Sequence, residues 1–136
     1  MLSRRLVAGY ALLLVSAGAM VLLAQANDLI AIFIALETTS IAQFVMAGIG
    51  RDGRSAEAGL KYLLTGAIAA AVLLYGFVFL FGVAGTTSLG GIAEVVQAGD
   101  ESIKLALLLG FALVLVGLGF KMALVPSPGW GPDVYE

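Results

Sequence analysis

The sequence predicts an all-α polytopic membrane protein with about four transmembrane helices, the last broken at its Pro/Gly-rich C-terminal end. Three observations lead there. The 136 residues are 61% hydrophobic and 12% charged, with mean hydropathy +1.07; a soluble domain is roughly 45–50% apolar and about 25% charged. Four apolar runs each reach the roughly 20 helical residues needed to cross about 30 Å of hydrocarbon. No segment alternates with the period of a barrel strand, so backbone groups placed in lipid must bond within helices.

The first span is expected over residues 6–25, behind the cationic anchor Arg4-Arg5. Its apolar run is longer than the 7–15-residue core of a cleaved signal and further spans follow, so it reads as a retained helix. The second is expected over residues 29–50, entered through Asn27 in the turn and Asp28 as its N-cap. The third and fourth are expected over residues 60–83 and 103–125. The connection between them opens with the turn-formers Gly85-Thr-Thr-Ser-Leu-Gly-Gly91, and residues 92–97 suit a short amphipathic surface helix.

Charge bias orients the chain. Arg4, Arg5, Arg51 and Arg54 flank one side, whereas the other side carries Glu94, Asp100 and Glu101. The positive-inside rule then puts both termini in the cytoplasm. Glycines recur within the spans at Gly66, Gly76, Gly110, Gly117 and Gly119, as expected where membrane helices approach closely.

Composition also excludes functions. The net charge of −2 and the lack of a basic patch argue against nucleic acid. With no Cys and no His, there are no disulfides, no thiolate or imidazole ligands and no His-dependent triad.

Chemistry centres on Glu37, which interrupts the otherwise lipid-suited stretch 29–47. A charge near the bilayer centre costs roughly 2.5–3.5 kcal/mol on insertion scales, so such residues are usually functional. Glu37 lies nine residues beyond Asp28, roughly 13–14 Å along a helix and close to the midplane. Thr38, Thr39, Ser40 and Gln43 form a polar stripe beside it that could hold water or a proton; alternatively the hydroxyls bond back to their own helix. Lys121 is the second candidate. Counted from Lys104 it lies about 25 Å along its helix, where a lysine can snorkel to headgroups. The Pro126, Pro128 and Pro132 interruption beyond it equally fits irregular backbone lining a wet cavity. Lys61, at the start of the third span, suits an anchor or a relay. Tyr62 and Trp130 suit interfacial aromatics.

The order of these residues resembles a known family. Ala26-Asn27-Asp28-Leu29, the Glu37 segment, Leu60-Lys61-Tyr62-Leu-Leu-Thr-Gly66, Leu74-Tyr75-Gly76, Phe120-Lys121 and Val125-Pro126 through Trp130-Gly-Pro132-Asp133-Val134-Tyr135-Glu136 resemble the antiporter-like membrane subunits of proton-translocating NADH:quinone oxidoreductase. These are related to Mrp cation/proton antiporters. The terminal Pro-Asp-Val-Tyr-Glu favours the subunit N group. The resemblance implies a fold of two inverted five-helix repeats with a broken helix in each. It makes Glu37 the helix-five glutamate, Lys61 the helix-six lysine and Lys121 the lysine of the broken helix, all in a proton relay. It further implies no cofactor in this chain, with NAD, FMN, iron–sulfur clusters and quinone in partner subunits. The partners implied are other membrane subunits of the complex, in a bacterial inner membrane.

Two departures stand out. Where the family pattern runs Val-Pro-Phe-His-x-Trp, this chain has Val125-Pro126-Ser127-Pro128-Gly129-Trp130, without the His. The chain also covers only four of the first repeat's five helices, as a fragment, a split gene product or a truncated chain would; residues 1–136 then form one transmembrane domain. Two rival functions fit the residues: a stand-alone four-helix transporter exchanging protons for a cationic solute at Glu37, and an inactive structural fragment.

Overall fold

A computed structural model describes residues 2–48 and 53–124 of the chain. Among the described residues five helices follow one another: α1 (Leu2–Gln25), α2 (Leu29–Gly48), α3 (Gly53–Ala84), α4 (Leu89–Ala98) and α5 (Lys104–Leu124), with a 3₁₀ turn at Glu101–Ile103 leading into α5. Four of them, all but α4, are long and apolar enough to cross a membrane. The predicted break at Pro126–Pro132 lies outside the described residues.

Helix α3 is the centre of the bundle. It packs along α5 over most of its length and against α2 on another side, while α1 lies outermost against α2. On α1 the buried residues are small, Ser16 and Ala19, which lets it approach α2 closely. The core is formed by Leu29, Leu73, Phe77, Leu80 and Ile92, with Phe33, Leu36, Val114 and Leu118 packed around it. Phe33 and Phe77 meet edge-on at 6.4 Å between ring centres.

Glycine makes the α3–α5 contact possible. A Cβ added at Gly117 would stand 2.8 Å from the backbone nitrogen of Leu73, and one at Gly76 would stand 2.8 Å from that of Val114. At Gly110 an added Cβ would meet the Leu80 side chain at 2.9 Å. Backbone approaching backbone leaves no room for a side chain. Gly66 and Gly119, singled out alongside them in the sequence, would meet nothing within 4 Å.

One end of the bundle is stapled. Asp28 caps α2 as expected, its Oδ1 accepting from the amides of Ile30 at 2.8 Å and Ala31 at 3.4 Å. Its Oδ2 also accepts from the Thr87 hydroxyl at 2.6 Å. The backbone does the same: Leu29 donates to Thr87 and Leu89 to Asn27, both at 2.8 Å. The α1–α2 turn and the α3–α4 connection are thereby one unit.

Three helix starts differ from expectation. Helix α1 begins at Leu2 rather than residue 6, taking Arg4 and Arg5 into its first turns. Helix α3 begins at Gly53 rather than near residue 60: no proline interrupts it, and Gly59 is carried within the helix. Glu57 and Lys61, in the favourable order one turn apart, pair at 3.3 Å along it. Helix α4 begins at Leu89 and takes in Gly90 and Gly91, which the sequence marks as turn. Ser88 caps it by accepting from the Gly91 amide, and Gly99, at φ +67°, closes it in the left-handed conformation.

Two measurements check this packing. Gly117→Leu should lower stability by about 1–3 kcal/mol through overpacking, seen as a lower melting temperature in detergent, whereas Gly119→Ala should be neutral. The Thr87 hydroxyl above all, helped by the Ile30 and Ala31 amides, holds the Asp28 carboxyl below its ordinary value of 3.8 and outweighs the opposing effect of burial. A depressed folded-state pKa contributes stability that is complete above the ordinary carboxyl range and lost as pH falls through the depressed value. Melting temperature against pH should therefore fall below about pH 4 for the native chain. For Asp28→Asn it should be lower at neutral pH, and the part of the acid decline owed to this carboxyl should vanish.

Candidate functional site

Glu37 lies in the middle of α2, on the turn after the core residue Phe33. Packing decides what it meets. Gly117 of α5 rests on Leu73 of the antiparallel α3, so Lys121, one turn further along, is level with about residue 69 of α3. Gln43 of α2 meets Tyr62 of α3, so Glu37, six residues or about 9 Å back, is level with about residue 68. The two charges share one depth.

They also touch. Lys121 Nζ stands 2.9 Å from Glu37 Oε1, with the side chains only 11% and 23% exposed. Oε1 is shielded from solvent and has no aligned hydrogen-bond donor among the described residues, so the contact is carried by charge rather than by a directed bond. Two unlike charges in a low-dielectric interior satisfy one another; either alone would be costly. The second contact of Lys121 is the Ser40 hydroxyl, which accepts from Nζ at 3.2 Å. Counting from Lys104 places Lys121 near the membrane edge, but the helix contacts place it at the pair.

The polar stripe divides in two. Thr38 and Thr39 donate to the Ile34 and Ala35 carbonyls of their own helix at 2.8 and 3.0 Å, as the bland alternative expected. Ser40 and Gln43 instead bond across helices, Ser40 to Lys121 and Gln43 to the Tyr62 hydroxyl. Lys61, the third residue expected in the relay, is not at the pair: it pairs with Glu57 along α3.

Tyr62 is the residue the sequence missed. As an aromatic two residues past the expected start of a span, it reads as an interfacial anchor, yet only 4% of it is exposed. The signal was its position 100° round the helix from Lys61, which turns one of the two toward the bundle and the other away.

Two grooves flank the pair. One of about 290 Å³ is lined by Thr39, Gln43, Leu118 and Lys121; the other, of about 410 Å³, by Phe33, Glu37, Gly66 and Leu74. Ser40 and Tyr62 line both. Among the described residues, no three Asp or Glu side chains gather as a metal site would require.

Comparison with known proteins gives a consistent picture. The family profile described as NADH:quinone oxidoreductase/Mrp antiporter, TM, matches residues 26–136. NADH-quinone oxidoreductase subunit N of Geobacillus kaustophilus is 44% identical over 128 residues, 93% of this chain and 25% of that protein. Its counterpart in Rhodospirillum rubrum is 46% identical over 118 residues, 86% of this chain and 24% of that protein. The chain thus spans about a quarter of the length of these relatives. Among solved structures, a chain of respiratory complex I from Thermus thermophilus superposes with TM-score 0.74 at 41% identity, over 94% of this chain and 28% of that one. A chain of an archaeal membrane-bound sulfane sulfur reductase superposes with TM-score 0.76 at 25% identity, over 91% of this chain and 25% of that one.

A double-mutant cycle measures the pair. Lys121→Met strands a carboxylate and should cost about 3 kcal/mol or more in detergent unfolding, whereas Glu37→Gln/Lys121→Met should be nearer the native chain than that single variant. Additive losses would show that the two charges do not interact.

Proposed function

Because the chain belongs to the NADH:quinone oxidoreductase/Mrp antiporter membrane family, we propose that it forms a proton-translocating piece of an NADH:quinone oxidoreductase membrane arm. The observation that carries this reading is the Glu37–Lys121 ion pair at 2.9 Å, set deep between α2 and α5. Residues 1–136 are then part of the first repeat of an antiporter-like fold. Chemistry with NAD, FMN, iron–sulfur clusters and quinone belongs to partner subunits. The chain lies in a bacterial inner membrane with both termini in the cytoplasm, as the arginine distribution favours.

The pair supports a simple coupling mechanism. With the ammonium against it, the carboxylate is stabilised as an anion; with the ammonium withdrawn, a bare anion in hydrocarbon takes up a proton. Return of the ammonium expels that proton. Lys121 can leave Glu37 without leaving the protein, because Ser40 offers it a second contact. Driving one proton against 100 mV takes roughly 2.3 kcal/mol. Displacing one unit charge by a few ångströms beside another in a low-dielectric site is of that order. Lys61, with Glu57, is the next ionisable group on α3 and the candidate for passing protons onward.

Partner helices also account for the exposed surface. Most of each spanning helix is uncovered within this chain, with residues such as Leu14, Leu105 and Leu115 presented outward. Lipid and neighbouring membrane subunits would cover them.

The decisive measurement is NADH-driven acidification of membrane vesicles carrying the assembled complex. Glu37→Gln should abolish coupled pumping while leaving assembly intact; Lys121→Met should also abolish pumping, with a smaller yield of assembled complex because it strands the Glu37 carboxylate. Full pumping by Glu37→Gln would defeat the mechanism. Proton-for-cation exchange by vesicles of this purified chain alone would favour the stand-alone transporter.

A further inference from the structure

Tyr62 stands where nothing in the relay accounts for it. It is a buried phenol on α3 at the boundary of both grooves, and its hydroxyl donates to the Gln43 side-chain oxygen of α2. It is also in hydrogen-bond contact with the Ser40 side chain. Ser40 in turn accepts from the Lys121 ammonium.

The ends of this chain set its direction. An ammonium has donors only, and an amide oxygen only accepts. The Tyr62 hydroxyl has one proton and gives it to Gln43, so toward Ser40 it can only accept, and the Ser40 hydroxyl, which accepts from Lys121, donates to Tyr62. Every bond then points from Lys121 toward Gln43, and hydrogen bonds in such a series strengthen one another. The Ser40 oxygen becomes a better acceptor for the ammonium than an isolated serine would be.

We propose that Tyr62 is a positioning residue which, through Ser40 and with Gln43 as anchor, makes a second resting place for the Lys121 ammonium beside Glu37. This deepens the proton-translocation reading and rests on it. In the structure one ammonium touches two groups of α2 at once, the Glu37 carboxylate at 2.9 Å and the Ser40 hydroxyl at 3.2 Å, and the Ser40 contact is the one left to it when the carboxylate is released. The balance between them sets how easily the carboxylate is exposed for proton loading. A Tyr62 that loses its hydroxyl weakens the Ser40 station and leaves the ammonium lodged on Glu37. Loading then demands a higher proton concentration.

The test uses vesicles carrying the assembled complex, comparing the native protein with Tyr62→Phe, Ser40→Ala, Gln43→Leu and Tyr62→Phe/Ser40→Ala. Tyr62→Phe keeps the ring that lines both grooves. It should reduce coupled turnover about three- to tenfold, the worth of one ordinary hydrogen bond. The quinone KM should be unchanged and the pH–rate profile displaced toward lower pH. Gln43→Leu should displace the profile the same way, and it decides the matter should Tyr62→Phe fail to assemble. The double variant should be no worse than the more impaired single one. An unmoved pH profile, or losses that multiply independently in the double variant, would overturn the role of Tyr62. In the same vesicles, Glu37→Gln separates the two ideas: if it stops pumping while Tyr62→Phe changes nothing, only the positioning role falls. If Glu37→Gln pumps normally, the relay itself falls.

Discussion

Everything in this bundle is arranged around a carboxylate and an ammonium that meet inside a lipid-suited protein. Neither charge is tolerable alone at that depth, and a separation of a few ångströms is enough to make both costly. The contact is therefore a strict constraint on helix placement. Helices α2 and α5 share no extensive backbone contact; the long side chain of Lys121 spans the gap between them. Two helices that scarcely touch must still be held to the correct height.

Helix α3 supplies that accuracy. Gly76, Gly110 and Gly117 bring α5 against it backbone to backbone, in a register that a side chain at any of the three would disturb. On its other side, Phe77 meets Phe33, and Tyr62 meets Gln43. Because α3 measures both neighbours against one ruler, the acid on α2 and the amine on α5 arrive level. The Asp28–Thr87 staple ties the turn before α2 to the segment after α3. One end of the bundle is clamped, and the flexible lysine side chain works further along.

How much of this was legible depended on the range of the information. The four spans, the Asp28 cap and the presence of an acid within the second span are local properties, readable from hydropathy, a capping residue and one misplaced charge. The start of α3 was less legible, since an amphipathic extension beyond the lipid looks like loop when hydropathy alone is weighed. The start of α4 was obscured by Gly90 and Gly91, which signal a turn until Ser88 is seen to cap the first turn of helix. Thr38, Thr39, Ser40 and Gln43 looked alike as a polar stripe. Only the neighbouring helices separate the two that bond back to their own helix from the two that bond across to another.

Composition, periodicity and charge settled unaided that this chain embeds in a membrane as helices and carries an acid in the middle of one of them, because each follows from the transfer of individual residues between water and lipid. The family resemblance already marked Lys121, but distance along the helix placed it at the membrane edge. Its partnership with Glu37, and the turn of Tyr62 rather than Lys61 toward that pair, were decided by tertiary structure. Both depend on glycine contacts and helix rotations joining segments dozens of residues apart, and no local pattern encodes the height at which two separate helices come to rest.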